Sequence, residues 1–466
     1  MSTLRSYKTW TVPFVAGVLA LGAVPSVLTG HAEAATPHSV RDDFDGDGYQ
    51  DLAIGAPNGT VSGQKEAGYV VVMYGGPHGL TKTRRTVVSR ATTGIPGSPA
   101  AGERFGIQLS KGDLDGDGRT DLVVGQTRTT RDAVVVWGGR GGLSGGVSVP
   151  ASVTQTGDFD GDGKQDLALF RGGRSQVDDP FGTTATVWTG PLSRAGKPAA
   201  TRDFGPDDFR YDDVLDSAAG DVNGDGRDDL ALTVYTGDGG FGSTFYLGSS
   251  SSAGATFTSA QAPAGAGGVA FGDVDGDGYD DVVRGDEDNS TVVVARGSAA
   301  GLRPASTWKT YSQNTPGVPG GRETVDLFGG AVSVGDVNGD GYDDVAVGAP
   351  GEELGYDDGA GVVDILYGSR GGLTGNGAQA FTQDTKGVPG AVETGDDFGG
   401  AVRLLDINGN GYADLAAAAP HENSGDGAVW SLRGRPTGIV TDAAFTFGGR
   451  TVGAPYAKAA FGRALG

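Results

Sequence analysis

Cysteine is absent from the 466-residue chain, which removes disulfides, thiolate metal sites and cysteine nucleophiles from consideration. Histidine is nearly absent. Of the four, His31 and His38 lie near the N-terminus, while His78 and His421 sit far apart, so no histidine metal cluster is apparent, nor any nucleophile elbow. Basic charge is in short supply: 35 Lys and Arg stand against 58 Asp and Glu, a formal net charge of -23. Such a field repels nucleic acid and anionic membrane surfaces. Long apolar runs are missing except for one, Val12 to Leu28, preceded by Arg5 and Lys8 and followed by Ala32-Glu33-Ala34. Gly17, Gly22 and Pro25 interrupt it, which suits a signal peptide over residues 1–34, cleaved after Ala34, better than a membrane anchor. The expected mature protein, residues 35–466, is secreted and extracellular, with no membrane span.

Glycine is what the chain has in excess, at 87 residues. Without a strict three-residue period these glycines are turn residues between many short strands, and the fold class is all-β. Their arrangement is a repeat. The pattern D-x-[DN]-G-[DN]-G-x-x-D begins at Asp43, Asp113, Asp158, Asp221, Asp273, Asp336 and Asp406, at intervals of 70, 45, 63, 52, 63 and 70 residues. Each copy leads into a short apolar strand such as Leu52-Ala53-Ile54, often closed by Gly-Ala-Pro, as at residues 55–57 and 348–350. A second strand follows, for example residues 69–74 or 362–367, and several copies are preceded by Phe-Gly, at residues 105, 328 and 398. Units of this size, with about four short strands each, are propeller blades.

The loops are built for a hard cation. In the first, Asp43, Asp45 and Asp47 place carboxylates at positions 1, 3 and 5, the Tyr49 carbonyl falls at position 7, and Asp51 closes the cage at position 9. Gly48 at position 6 permits the sharp turn, as in an EF-hand loop. The other sets are Asp113, Asp115, Asp117, Arg119 and Asp121; Asp158, Asp160, Asp162, Lys164 and Asp166; Asp221, Asn223, Asp225, Arg227 and Asp229; Asp273, Asp275, Asp277, Tyr279 and Asp281; Asp336, Asn338, Asp340, Tyr342 and Asp344; and Asp406, Asn408, Asn410, Tyr412 and Asp414. Six or seven oxygens on a flexible loop suit Ca²⁺ better than Mg²⁺, so up to seven calcium ions are expected. Four loops carry four carboxylates, those at Asp221 and Asp336 carry three, and the last carries two, which makes it the weakest.

Phe328-Gly329, the loop from Asp336 to Asp344 and Gly348-Ala349-Pro350 together resemble the FG-GAP repeat of integrin α propellers and their secreted bacterial relatives. The resemblance extends over everything after residue 40 and implies a seven-bladed β-propeller with calcium loops. It departs from the integrin pattern in placing a loop in all seven repeats, and no leg domain or membrane span follows. A monomeric extracellular binding or adhesion module, not an enzyme, is the implied function, with an unidentified protein or glycan as partner. The alternatives are a lectin-like glycan-binding propeller and a calcium-dependent polysaccharide lyase; no catalytic residue is assigned.

Four further expectations follow from the residues. Arg284-Gly285-Asp286 occupies a Gly-Ala-Pro position and is read as a repeat element, not as an adhesion tripeptide. Phe181, Phe209, Tyr211, Phe241 and Tyr356 are the aromatic candidates for a glycan platform. The tail Phe461-Gly462-Arg463-Ala464-Leu465-Gly466 aligns with residues 328–333 and is expected to close the ring as an inner strand of the first blade. Ligand binding is expected on the face opposite the metal loops, where residues 93–97, 316–320 and 386–390 open long loops bearing Arg104, Arg322, Glu323, Glu393 and Asp397.

Overall fold

The computed structural model describes residues 42–127, 131–172, 174–176, 179–205, 209–251 and 254–466. The expected signal segment and its cleavage point after Ala34 lie outside the described residues. Residues 39–466 form one compact unit. Among its described residues are seven four-stranded antiparallel sheets, one per repeat, and a two-stranded ribbon pairing Arg174–Gln176 with Asp179–Phe181. The sixth blade shows the plan: Ala331–Gly335, Asp344–Ala349, Val362–Tyr367 and Thr374–Phe381 pair in sequence order from the inside outward. The unit is a seven-bladed β-propeller. No helix among the described residues is long and apolar enough to cross a membrane.

The near-continuous apolar character of the strands follows from this arrangement, because both faces of each sheet are covered by neighbouring blades. Seven hydrophobic clusters are found, and each lies between two adjacent blades. Alternate residues of one strand feed different clusters. Val71 and Met73 of the strand Tyr69–Met73 face the seventh blade, while Val70 and Val72 face the second.

The first blade is completed from the far end of the chain. Ala464–Leu465 pairs antiparallel with Leu52–Ala56, matching Gly55 with Ala464 and Ile54 with Leu465. The sixth blade matches Gly348 with Ala331 and Val347 with Val332 in the same way. Backbone bonds between Ala53 and Gly466, at 2.9 and 3.0 Å, extend the pairing, and Phe461 is fully buried in the cluster between blades seven and one.

One buried residue contradicts the apolar pattern. Asp364, in the third strand of the sixth blade, is 0% exposed, and neither carboxyl oxygen has a hydrogen-bond partner among the described residues. By strand register its counterparts in the first and seventh blades are Val71 and Trp430. Burial, assisted by the nearby Glu352, pushes its carboxyl up to about 8 from an ordinary 3.8. The folded state therefore keeps a proton that the unfolded chain releases above about pH 4, and stability falls as pH rises from there to about 8. A shift of that size corresponds to roughly 5 kcal/mol at most, or about 5 °C on a chain of this length. Asp364→Val is expected to raise the melting temperature, by more at pH 8.5 than at pH 5. An equal gain at both values would show that the carboxyl is not raised in the folded protein above its unfolded value.

Candidate metal centres

Six of the acidic loops leave the innermost strand of their blade and enter the next strand at position 9; the first, whose blade takes its innermost strand from the C-terminal tail, leads into Leu52–Ala56 directly after Asp51. The aspartate at position 1 shapes the turn. In all seven loops one of its carboxylate oxygens accepts the backbone N–H of the position 6 glycine, at 2.7–3.0 Å. Position 5 accepts the N–H of position 7 in every loop, at 3.0–3.2 Å. These local bonds hold the loop folded on itself with its carboxylates converging.

Position 9 reaches furthest into the protein. Asp51, Asp121, Asp166, Asp229, Asp281, Asp344 and Asp414 are at most 1% exposed. One oxygen of each accepts the N–H of a glycine in or just after the third strand, at 2.8–2.9 Å, so this residue ties the loop to its own blade. Desolvation pushes their carboxyls up, Asp51 to about 8, Asp414 to about 6 and the other five to about 7. A cation beside them would reverse that cost, since a positive charge favours the ionised form.

Positions 1, 3 and 9 converge in four loops. Oxygens of Asp43, Asp45 and Asp51 lie within 4.8 Å of one another, as do those of Asp113, Asp115 and Asp121, of Asp158, Asp160 and Asp166, and of Asp273, Asp275 and Asp281. These are the four loops with aspartate at position 3. Asn223, Asn338 and Asn408 put a neutral side chain there in the others, and Asn408 turns its amide onto Asp414 at 2.6 Å.

Position 5, read from sequence as an equal ligand, stands outside these groups and in five loops turns toward a basic side chain. Asp47 pairs with Arg84 at 2.6 Å, Asp117 with Arg194 at 2.9 Å, Asp162 with Lys164 at 2.7 Å, Asp225 with Arg227 at 3.0 Å and Asp277 with Arg303 at 2.8 Å. Arg84, Arg194 and Arg303 come from the connections between third and fourth strands, whose lengths vary, and no motif marked them.

A divalent cation fits the donors best in the fifth loop. Its Asp281 is 0% exposed, and the Asp281 oxygen that accepts a position 2 N–H in five other loops has no partner here. One oxygen of Asp275 is likewise buried without a hydrogen-bond partner. Buried unpaired carboxylate oxygens are costly unless a cation meets them. Hard oxygens at this spacing suit calcium chemistry.

Two roles in the loops escaped sequence reasoning, and both join neighbours. The position 8 side chain accepts the position 1 N–H of the preceding loop: Asp228 from Asp158 at 2.7 Å, Asp280 from Asp221 at 2.9 Å, Asp343 from Asp273 at 3.1 Å. Gln50 does the same for Asp406 at 2.5 Å, closing the ring of loops. The position 7 side chain covers the position 4 glycine of the preceding loop. A methyl group at Gly276 would lie 2.8 Å from the Tyr342 ring, and one at Gly409 would lie 3.0 Å from Tyr49, so neither glycine has room for a side chain.

On the opposite face three of the five charged residues expected to bind make contacts within the chain. Arg104 pairs with Glu66 at 3.0 Å, Arg322 donates to the Asn289 carbonyl at 2.8 Å, and Asp397 pairs with His421 at 2.7 Å. Arg284 of the Arg-Gly-Asp sequence is 1% exposed and donates to the Thr233 hydroxyl and Leu232 carbonyl, so the tripeptide is not displayed. Phe209 is buried, whereas Phe181, Tyr211, Phe241 and Tyr356 are exposed, and the Phe181 and Tyr211 rings lie 5.8 Å apart.

Comparison with known proteins matches this pattern. The FG-GAP repeat model matches residues 39–73, 328–378 and 398–432, and the FG-GAP-like repeat model matches residues 113–169 and 221–284. Integrin alpha-PS2 of Drosophila melanogaster is 34% identical over 182 residues, covering 37% of this chain and 12% of that protein. Integrin alpha-8 of Mus musculus is 30% identical over 236 residues, covering 48% of this chain and 21% of that protein. The chain thus spans between an eighth and about a fifth of the length of these relatives. Among solved structures, the crystal structure of BBS1N in complex with ARL6DN covers 74% of this chain and 82% of that one at 11% identity, with a TM-score of 0.39, too slight a likeness to bear on the fold. The matched segments contain all seven acidic loops, each in its place between the strands of a propeller blade, and on that ground the chain belongs to the FG-GAP repeat family.

Proposed function

We propose that this protein is a secreted, calcium-loaded propeller that acts as an extracellular binding or adhesion module. The observation that carries the calcium reading is the fifth loop, where three carboxylates converge and buried oxygens of Asp275 and Asp281 lack partners. Calcium in each loop would be held by positions 1, 3, 5 and 9 with the position 7 carbonyl, and tightest where position 3 is aspartate. The ions would also offset charge: positions 1, 3, 5 and 9 of the loops hold 24 carboxylates, as many as the net charge expected of residues 35–466. Binding rather than catalysis is the reading supported by the likeness to integrin α chains. A glycan partner is the second reading, favoured by the exposed Phe181 and Tyr211 pair.

The loops rank themselves. At saturating calcium, Asp45→Ala is expected to cost about 1–2 kcal/mol, roughly the contribution of one occupied site. Asn408→Ala, in the loop with two carboxylates, should cost a few tenths. Melting curves of the two variants with and without calcium decide the matter, and equal losses would mean that carboxylate count does not govern these loops. Export is tested separately: the extracellular protein should begin at Ala35.

A further inference from the structure

On a protein this acidic, a concentration of basic groups calls for an explanation. One occurs on the metal-loop face between the fifth and sixth blades, where a cleft of about 530 Å³ is lined by Arg296, Arg303, Arg370, Tyr342 and the loop residues Asp275, Gly276 and Asp277. Lys309 lines a small neighbouring pocket that shares Arg296 with the cleft, and donates to the Gly371 carbonyl at 3.0 Å. Arg296 is held in place by Asp275 at 2.9 Å. Arg303 pairs with Asp277 at 2.8 Å, but both side chains are well exposed, at 40% and 28%, so the pair contributes little and is readily exchanged. Arg370 is exposed and has no acidic partner among the described residues.

We infer that this cleft binds an anionic glycan, with Arg303 and Arg370 engaging its carboxylate or sulfate groups, and that calcium in the fifth loop strengthens the binding. The second part rests on the calcium reading above. Guanidinium groups match planar oxyanions bidentately, and three of them converge here from two blades. Apart from the Tyr342 ring, every lining residue is charged or glycine, so nothing here seats the apolar side chains of a peptide, whereas a hydroxylated, charged sugar needs no such pocket. Without calcium, Asp275 and Asp277 present negative charge at the mouth of the cleft and occupy two of its arginines. With calcium in the loop, that charge is offset and Arg303 is free to exchange its carboxylate for the ligand's. The two equilibria are then linked, and the glycan must raise calcium affinity by the same factor.

The test is calorimetric titration of the full chain with a hyaluronan oligosaccharide and a sulfated dextran oligosaccharide, in calcium and in chelator, with neutral dextran, inorganic sulfate and an oligoglutamate peptide as other arms. At least one of the two anionic glycans should bind, about tenfold more weakly after chelation. Arg303→Ala should lose about tenfold. Arg370→Ala should lose a similar factor while keeping wild-type calcium-dependent melting, because its side chain touches no loop carboxylate. Inorganic sulfate competing as well as the glycan would reduce the site to an oxyanion pocket, and tighter binding of oligoglutamate would assign it to a protein partner; either overturns the inference. Calcium that raises the melting temperature while neither anionic glycan binds sinks this inference alone. Calcium that changes neither melting nor glycan binding sinks the calcium reading with it.

Discussion

Removing residues 459–466 is expected to destabilise the whole propeller, not merely fray one end. The tail buries Phe461 at 0% exposure in the cluster between blades seven and one, and replacing such a ring costs about 3–5 kcal/mol. It also makes backbone bonds from Gly462 to Gly55, from Gly466 to Ala53 and from Ala53 to Gly466, each contributing about 1 kcal/mol. Without the tail, Leu52–Ala56 becomes an open inner edge, a template for pairing with other chains. The total, on the order of 7 kcal/mol, corresponds to about 8 °C on a chain of this length. Phe461→Ala should show about half of that loss without opening the edge. A truncated protein that melts with the full one would mean that the ring does not depend on this strand.

Chelation should have an effect as large. With dissociation constants near 0.1 mM, typical of extracellular modules, 1 mM free calcium contributes about 1.4 kcal/mol per site. Four loops then supply about 6 kcal/mol, or about 6 °C, and seven about 10 kcal/mol, or about 11 °C. The size of the shift therefore reports how many loops bind. Chelator should also make stability depend on pH. The seven position 9 aspartates, with carboxyls raised to between about 6 and about 8, keep protons in the metal-free fold that the unfolded chain has lost. Metal-free protein should accordingly melt higher at pH 5 than at pH 8, and calcium should remove most of that difference by favouring the ionised form. A metal-free protein that gains stability over this range would mean that these groups are ionised without a cation.

Much of the architecture was legible because repetition made it so. Seven copies of one loop, each followed by an apolar strand, fix blade number, and the match of residues 461–466 with residues 328–333 by itself points to ring closure. The convergence of positions 1, 3 and 9 in four loops was legible for the same reason, since that geometry is local to nine residues. What depends on a neighbouring blade was not. Nothing in one loop says that Asp280 serves the loop before it, or that Tyr342 lies over Gly276. The basic partners of position 5 arrive from connections of irregular length, so Arg84 and Arg303 share no spacing with Asp47 and Asp277. Asp364 hid inside an apolar strand because a single acid in a run of Val, Ile and Leu carries no sign of which face it takes. The same holds for the upper loops, where nothing in the sequence says that the Arg322 guanidinium meets a carbonyl of the fifth blade.

The count of bound calcium tests the central claim most directly. Equilibrium dialysis of chelator-stripped protein against 1 mM calcium should return at least four ions per chain, from the loops at Asp43, Asp113, Asp158 and Asp273. Asp275→Ala, in the loop with the unpaired buried oxygens, should lower the count by one and leave the other sites filled. A stripped protein that takes up less than one ion per chain while remaining folded would contradict the account.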